Sequence, residues 1–152
     1  MGFILLMDRI KCWLNTPLQV LTNSHSLHSL IIRQRNDAPR ILEFLFRNRG
    51  YLRKLTVKNC SLGDNSTALL SNMVALYPDL ESLSLESCHP LTSDGYTLIP
   101  RLKKLSELNL SNCQVDYFHV KQLETHVCIR EACRTPLKYI LLFRQEGNFL
   151  QL

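Results

Sequence analysis

A chain of 152 residues with 45% apolar and 20% charged residues fits one folded domain and excludes global disorder. The formal net charge is +5, but it is spread in blocks. Arg33, Arg35, Arg40, Arg47, Arg49, Arg53, Lys54 and Lys58 stand against Asp37 and Glu43, whereas Asn59 to Pro100 holds no Lys or Arg and carries Asp64, Asp79, Glu81, Glu86 and Asp94.

The chain opens with an apolar run, Met1 to Met7, that is stopped by Asp8-Arg9. It is too short for a membrane span and lacks the basic flank of a signal peptide. Leu6 stands where a myristoylation site needs Ser or Thr. Asp8 to Leu21 is helical in places, with Ile10, Trp13 and Leu14 on one side and Pro17 as a breaker. Then comes Leu27-x-x-Leu30-x-Ile32, a faint first copy of a pattern that recurs in full three times. The copies are Leu52-x-x-Leu55-x-Val57-x-x-Cys60, Leu80-x-x-Leu83-x-Leu85-x-x-Cys88 and Leu105-x-x-Leu108-x-Leu110-x-x-Cys113. The first leucines are separated by 25, 28 and 25 residues. The centre of each unit alternates apolar and other residues, the period of a half-buried strand.

Helical spacing follows each unit. Asp37 is placed to cap a helix with Pro39 in its first turn; Leu42, Leu45 and Phe46 form its apolar stripe, and Gly50 stops it. A second helix is predicted from Asp64 or Ser66 to Tyr77, with Leu69, Leu70, Met73 and Leu76 on one side and Pro78 behind it. Thr92 to Ile99 is a shorter helical stretch cut by Pro100. A longer helix is predicted from Asp116, burying Phe118 or His119, Val120, Leu123, Val127 and Cys128, and it ends before Pro136. A fifth strand is predicted at Leu137-x-x-Ile140-x-Leu142.

One strand and one helix cannot bury a repeat's own apolar face, so neighbours must stack. The expectation is an α/β solenoid of four to five strand–helix repeats, with a parallel sheet on the concave side. Residues 1–152 form one domain: 1–26 a partial N-terminal repeat, 27–145 the repeats, and 146–152 an uncapped tail. Cys60, Cys88 and Cys113 recur at one position, one repeat apart. They read as core residues that fill the strand exit and satisfy a loop backbone group. All six cysteines are expected as free thiols in a reducing compartment.

The three nine-residue units, with the tails Cys60-Ser-Leu62-Gly-Asp64, Cys88-His-Pro-Leu91-Thr-Ser-Asp94-Gly95 and Cys113-Gln-Val115-Asp116, resemble the cysteine-containing and ribonuclease-inhibitor-like classes of leucine-rich repeat. Leu91 to Gly95 is similar to the Ile-Thr-Asp-x-Gly segment that follows the cysteine in those classes. The resemblance covers residues 27 to 145 and implies a horseshoe arc. Its members include F-box and other cullin-ligase substrate receptors, innate-immune sensors and inhibitors. This sequence carries no F-box-like segment before the repeats and no elongin-binding box. The expectation is a reader without its adaptor module, as a fragment or short isoform would be.

Five glycines form neither G-x-G-x-x-G nor a P-loop, which leaves nucleotide binding without support. His126, Cys128 and Cys133, and the pair His25 and His28, fall short of a four-ligand zinc set, and no orienting group marks a nucleophilic Cys–His pair. The expectation is a non-enzymatic chain without cofactor or metal. The candidate partner-binding residues are the outward strand positions: Arg33; Lys54, Thr56 and Lys58; Ser82, Ser84 and Glu86; Glu107 and Asn109. Ser29, Ile31 and Ser111 flank them. Tyr139, Leu141 and Phe143 are expected in an edge strand packed against residues outside the chain. The expected partner is a protein, with ubiquitin-ligase subunits or substrates implied by the resemblance. The alternatives are nucleic-acid binding through the Arg33–Lys58 block and a truncated chain without autonomous role. The expected state is a monomer or part of a larger complex, away from membranes, in the cytoplasm or the nucleus.

Overall fold

The computed structural model describes residues 3–7, 27–47, 51–113, 139–143 and 149–151. The order is β1 (Phe3–Met7), β2 (Leu27–Arg33), α1 (Ala38–Arg47), β3 (Lys54–Lys58), α2 (Ser66–Leu76), β4 (Ser82–Ser84), α3 (Ser93–Tyr96), a 3₁₀ turn at Ile99–Arg101, β5 (Glu107–Asn109), β6 (Tyr139–Phe143) and β7 (Phe149–Gln151). The strands lie side by side in chain order in one sheet. Every pairing from β1 to β6 is parallel, and β7 runs antiparallel to β6. Strands and helices thus alternate in an α/β, repeat-like topology.

The alternation read from the sequence becomes two faces. Leu30, Ile32, Leu55, Val57, Leu83, Leu85, Leu108 and Leu110 are all buried. The leucines that open the units, Leu27, Leu52, Leu80 and Leu105, are at most 2% exposed. Burying one such side chain stabilises the fold by about 1.5–3 kcal/mol. Helix α1 covers this face with Ala38, Ile41, Leu42, Leu45 and Phe46, and α2 with Ser66, Leu69, Leu70 and Met73. Leu76, expected in that stripe, is half-buried. Tyr77 ends α2 with its ring against Phe46 and its hydroxyl donating to the Leu45 carbonyl at 3.0 Å. The next repeat shortens to the single turn α3. Gly95 in that turn leaves room for Leu70, whose Cδ1 would lie 2.7 Å from any added Cβ.

Asp37 does more than open α1. Its carboxylate accepts two hydrogen bonds from the Arg35 guanidinium, each 2.7 Å, while its carbonyl accepts from the Ile41 amide. That guanidinium holds the Asp37 carboxyl below the usual carboxylate range. Helix α2 begins without a side-chain cap, because Asn65 makes no such bond. The Ser66 hydroxyl at its start is buried without a hydrogen-bond partner.

Each strand leaves the sheet the same way. Gln34, Asn59, Ser87 and Asn112 have φ of 51°, 52°, 53° and 56°. Each stands seven residues after the leucine that opens its unit. A left-handed non-glycine residue costs roughly 1–2 kcal/mol, least for Asn. The turn aims a backbone N–H at the next repeat: Gln34 donates to the Lys58 carbonyl, Asn59 to Glu86 and Ser87 to Ser111, at 2.8–2.9 Å. The cysteine one residue later points the other way. Cys88 donates its thiol to the Val57 carbonyl and Cys113 to that of Leu85, while Cys60 Sγ lies 3.9 Å from the Ile32 carbonyl and 3.2 Å from that of Lys58. In the first unit Arg35 holds the cysteine's place, and its backbone N–H points at Cys60 Sγ, 3.5 Å away. These three cysteines are free thiols.

Both ends of the chain add strands to the sheet. β1 supplies the strand of the partial first repeat, with Leu5 opposite Leu30 and Met7 opposite Ile32. Phe149–Gln151, expected as part of an uncapped tail, is a strand paired on β6, with Leu142 opposite Leu150. β6 is therefore not an edge awaiting residues from outside the chain. The chain turns back and fills those backbone hydrogen bonds itself, which leaves the three-residue β7 as that edge of the sheet. The predicted helices at 8–21 and from Asp116, and Gly50, His25, His126, Cys128 and Cys133, lie outside the described residues.

Two measurements test the thiol bonds. Cys88→Val keeps an apolar group of similar size but strands the Val57 carbonyl, so urea unfolding should show a loss of about 1–3 kcal/mol. Burial pushes the Cys88 thiol from 9.0 up to about 12, and raises Cys60 and Cys113 as well. A group that holds its proton more tightly when folded stabilises fully below its unfolded pKa and ceases to do so as pH rises through its folded one. Stability should therefore fall as pH rises from about 9 to about 12, and the fall should be shallower in Cys88→Ser.

Candidate functional site

Strand register brings the predicted residues together on the sheet face opposite the helices. One row runs Ser29, Lys54, Ser82, Glu107 and Tyr139 across successive strands. The next runs Ile31, Thr56, Ser84, Asn109 and Leu141. Arg33 lies opposite Lys58 at the strand exits, and Glu86 joins them through its contact with Lys58. Arg33, Lys54 and Glu107 are exposed; Thr56, Lys58, Ser82, Ser84, Glu86 and Asn109 are half-buried. The nine positions form one continuous surface because parallel pairing without a register slip keeps like positions of each repeat side by side.

The chemistry of that surface is not what the charge blocks suggest. Lys58 Nζ lies 2.6 Å from Glu86 Oε1, so a residue of the basic block and one of the acidic block neutralise each other. Arg53 pairs with Glu81, and Lys104 with Asp79 at 2.6 Å. The Lys104 ammonium keeps the Asp79 carboxyl below the usual carboxylate range. The separate basic and acidic parts expected from the sequence are thus partly closed within the chain. The signal for this was in the sequence. Arg53 to Glu81 and Lys58 to Glu86 are 28 residues apart, the step from Leu52 to Leu80. Asp79 to Lys104 is 25, the step from Leu80 to Leu105. Opposite charges separated by one repeat step stack on neighbouring strands or loops.

Asn109 also has a local duty. Its Oδ1 accepts from the Ser111 backbone N–H at 2.9 Å and from the Ser111 hydroxyl. It shapes the turn after β5 through its carbonyl oxygen. What the face presents outward is therefore a cation at Lys54, a second at Arg33, a carboxylate at Glu107, and the hydroxyls of Thr56, Ser82 and Ser84 between them. Lys54 and Glu107 are two strands apart in one row, roughly 10 Å at the usual strand spacing. Neither has an ion-pair partner among the described residues.

Among the described residues, no group of three or more His, Cys, Asp or Glu is arranged to hold a metal ion. No helix among them is long and apolar enough to cross a membrane. Comparison of the chain with protein-family models, with curated proteins and with solved structures yields no match.

The Lys58–Glu86 pair is half-exposed and spans two repeats, so its coupling should be small. A double-mutant cycle with Lys58→Ala and Glu86→Ala should give at most about 1 kcal/mol, shrinking in high salt. The swap Lys58→Glu with Glu86→Lys should recover most of the stability that either reversal alone removes.

Proposed function

We propose that this chain is a leucine-rich repeat horseshoe acting as a non-enzymatic protein-interaction module. It holds an extended polypeptide across the strand face that carries Arg33, Lys54, Thr56, Lys58, Ser82, Ser84, Glu86, Glu107 and Asn109. One observation carries this reading: the inward rows repeat leucine, isoleucine or valine in strand after strand, while the outward rows run Ser29, Lys54, Ser82, Glu107 and Ile31, Thr56, Ser84, Asn109 in unbroken register. Repetition inward serves packing. Variation outward, on a frame that fixes the spacing of each side chain, suits recognition of one sequence along a partner. Lys54 and Glu107 give that partner a direction, with an acidic group toward β3 and a basic one toward β5.

The resemblance to cullin-ligase receptors supports an intracellular setting in substrate recognition by a ubiquitin ligase. Nucleic acid is the weaker reading. Of the basic block, Arg35, Arg53 and Lys58 already hold carboxylates of this chain, which leaves fewer cations for phosphates.

The test compares three forms of the chain as bait in cell lysate, read by mass spectrometry: wild type, Lys54→Glu with Glu107→Lys, and Arg40→Glu on the exposed side of α1. The proteins held by wild type should be kept by the helix variant and fall at least tenfold with the double variant. Equal recovery by all three baits would remove the strand face as the binding site. Cullin adaptors among the proteins held would support the ligase setting, and their absence would count against it.

A further inference from the structure

Taking the strand face as the binding surface, as proposed above, we infer the sequence pattern it selects. The bound segment is an extended stretch with one carboxylate and one basic side chain three positions apart, joined by small uncharged residues. Two rows of the face define it: Ser29, Lys54, Ser82, Glu107 and Tyr139, then Ile31, Thr56, Ser84, Asn109 and Leu141. Lys54 and Glu107 are the charged residues of these rows, and both are exposed. Neither forms an ion pair with another described residue. The other charges of the face, Arg33, Lys58 and Glu86, lie at the strand exits, where Lys58 and Glu86 hold each other at 2.6 Å. A segment laid along the first row therefore meets one cation and one anion.

Strand spacing sets the separation. β3, β4 and β5 are neighbours in the sheet, so Lys54 and Glu107 stand two strand spacings apart, about 10 Å, on a line across the strands. An extended chain advances about 3.3 Å per residue and covers that gap in three residues. Its carboxylate then meets the Lys54 ammonium while its basic group meets the Glu107 carboxylate. Two like charges at that spacing would set one of them against its own sign. Between Lys54 and Glu107, β4 offers only the short, half-buried Ser82 and Ser84. Their hydroxyls reach a main chain that comes down between the two long side chains, donating to a carbonyl or accepting from an N–H. Asn109 adds donors on the same side: Ser111 occupies its Oδ1, which leaves the amide N–H groups to give. A bulky side chain above Ser82 would hold the main chain away from these groups.

The experiment titrates the isotope-labelled chain with blocked peptides and follows the backbone amide signals of Lys54, Ser82 and Glu107. The parent probe is acetyl-Ala-Asp-Ala-Ala-Lys-Ala-amide. Two others carry no alanine or five alanines between Asp and Lys, and a fourth has Asn in place of Asp. The parent should bind at least threefold more tightly than each of the other three. Lys54→Ala should weaken the parent at least threefold and leave the Asn peptide within 1.5-fold, because both changes remove the same pair. Ser82→Leu, which keeps both charges, should also weaken the parent at least threefold. The peptide changes decide the matter even where a variant of the chain fails to fold. Equal affinity at all three spacings, or an Asn peptide that binds as well as the parent, would overturn the pattern while leaving the strand face as the binding surface. Shifts that centre away from Lys54, Ser82 and Glu107, or none with any peptide, would overturn the pattern and count against the face as well.

Discussion

The structure depends on how each strand hands its backbone to the next repeat. Pairing between β3 and β4 stops at Thr56 and Ser84, and between β4 and β5 at Ser84 and Asn109. One residue further on, the carbonyls of Val57 and Leu85 sit in the buried layer, where an unpaired acceptor costs about 1–3 kcal/mol. Cys88 and Cys113 donate to them from the following repeat. The left-handed residue before each cysteine donates in the opposite direction: Asn59 to Glu86 and Ser87 to Ser111. Neighbouring repeats are thus joined by one bond each way at the same corner. The cysteine suits that corner because it is small enough for a dry site, carries one weak donor, and stays protonated there since burial raises its pKa.

That corner sets the register, and the register sets both faces. Once Leu55 lies beside Leu83 and Leu83 beside Leu108, the inward layer can only be a stack of like side chains. The same alignment forces Lys54, Ser82 and Glu107 into one outward row, and Thr56, Ser84 and Asn109 into the next. Charges one repeat apart fall opposite each other, as Lys58 and Glu86 do. Some of the polar surface is then consumed in joining repeats, and what remains is sparse: Arg33, Lys54, Glu107 and three hydroxyls. A sparse and directional set of groups is better suited to choosing a partner than to holding any polyanion.

Much of the strand layer was legible because its cause is local. Leu-x-x-Leu-x-Leu with a following cysteine dictates which side chains point inward, and all of the described ones do. Helix α2 appears at Ser66–Leu76 against an expectation of Asp64 or Ser66 to Tyr77, and the fifth strand falls at Tyr139–Phe143. The charged blocks were harder to read. A list of basic and acidic residues carries no partners until the repeat step is applied to it. Asn109 looked like a free contact residue because nothing in its own strand reveals that Ser111 folds back onto it. Phe149–Gln151 looked like a tail because a three-residue strand has too little alternation to announce itself.

By itself, the sequence determined the period, the buried rows, the places of Cys60, Cys88 and Cys113 and the set of nine outward residues, because these follow from side-chain alternation and from repetition along the chain. Only the tertiary structure decided which charges are spent between repeats, which carbonyl each thiol satisfies, and that the last strand turns back to cover β6. The first two outcomes depend on groups 25 to 31 residues apart meeting at hydrogen-bond distance, as Cys88 and Val57 do at 3.3 Å. A side-chain pattern reports which way a residue faces, whereas a bond across repeats requires the neighbouring chain to be in place.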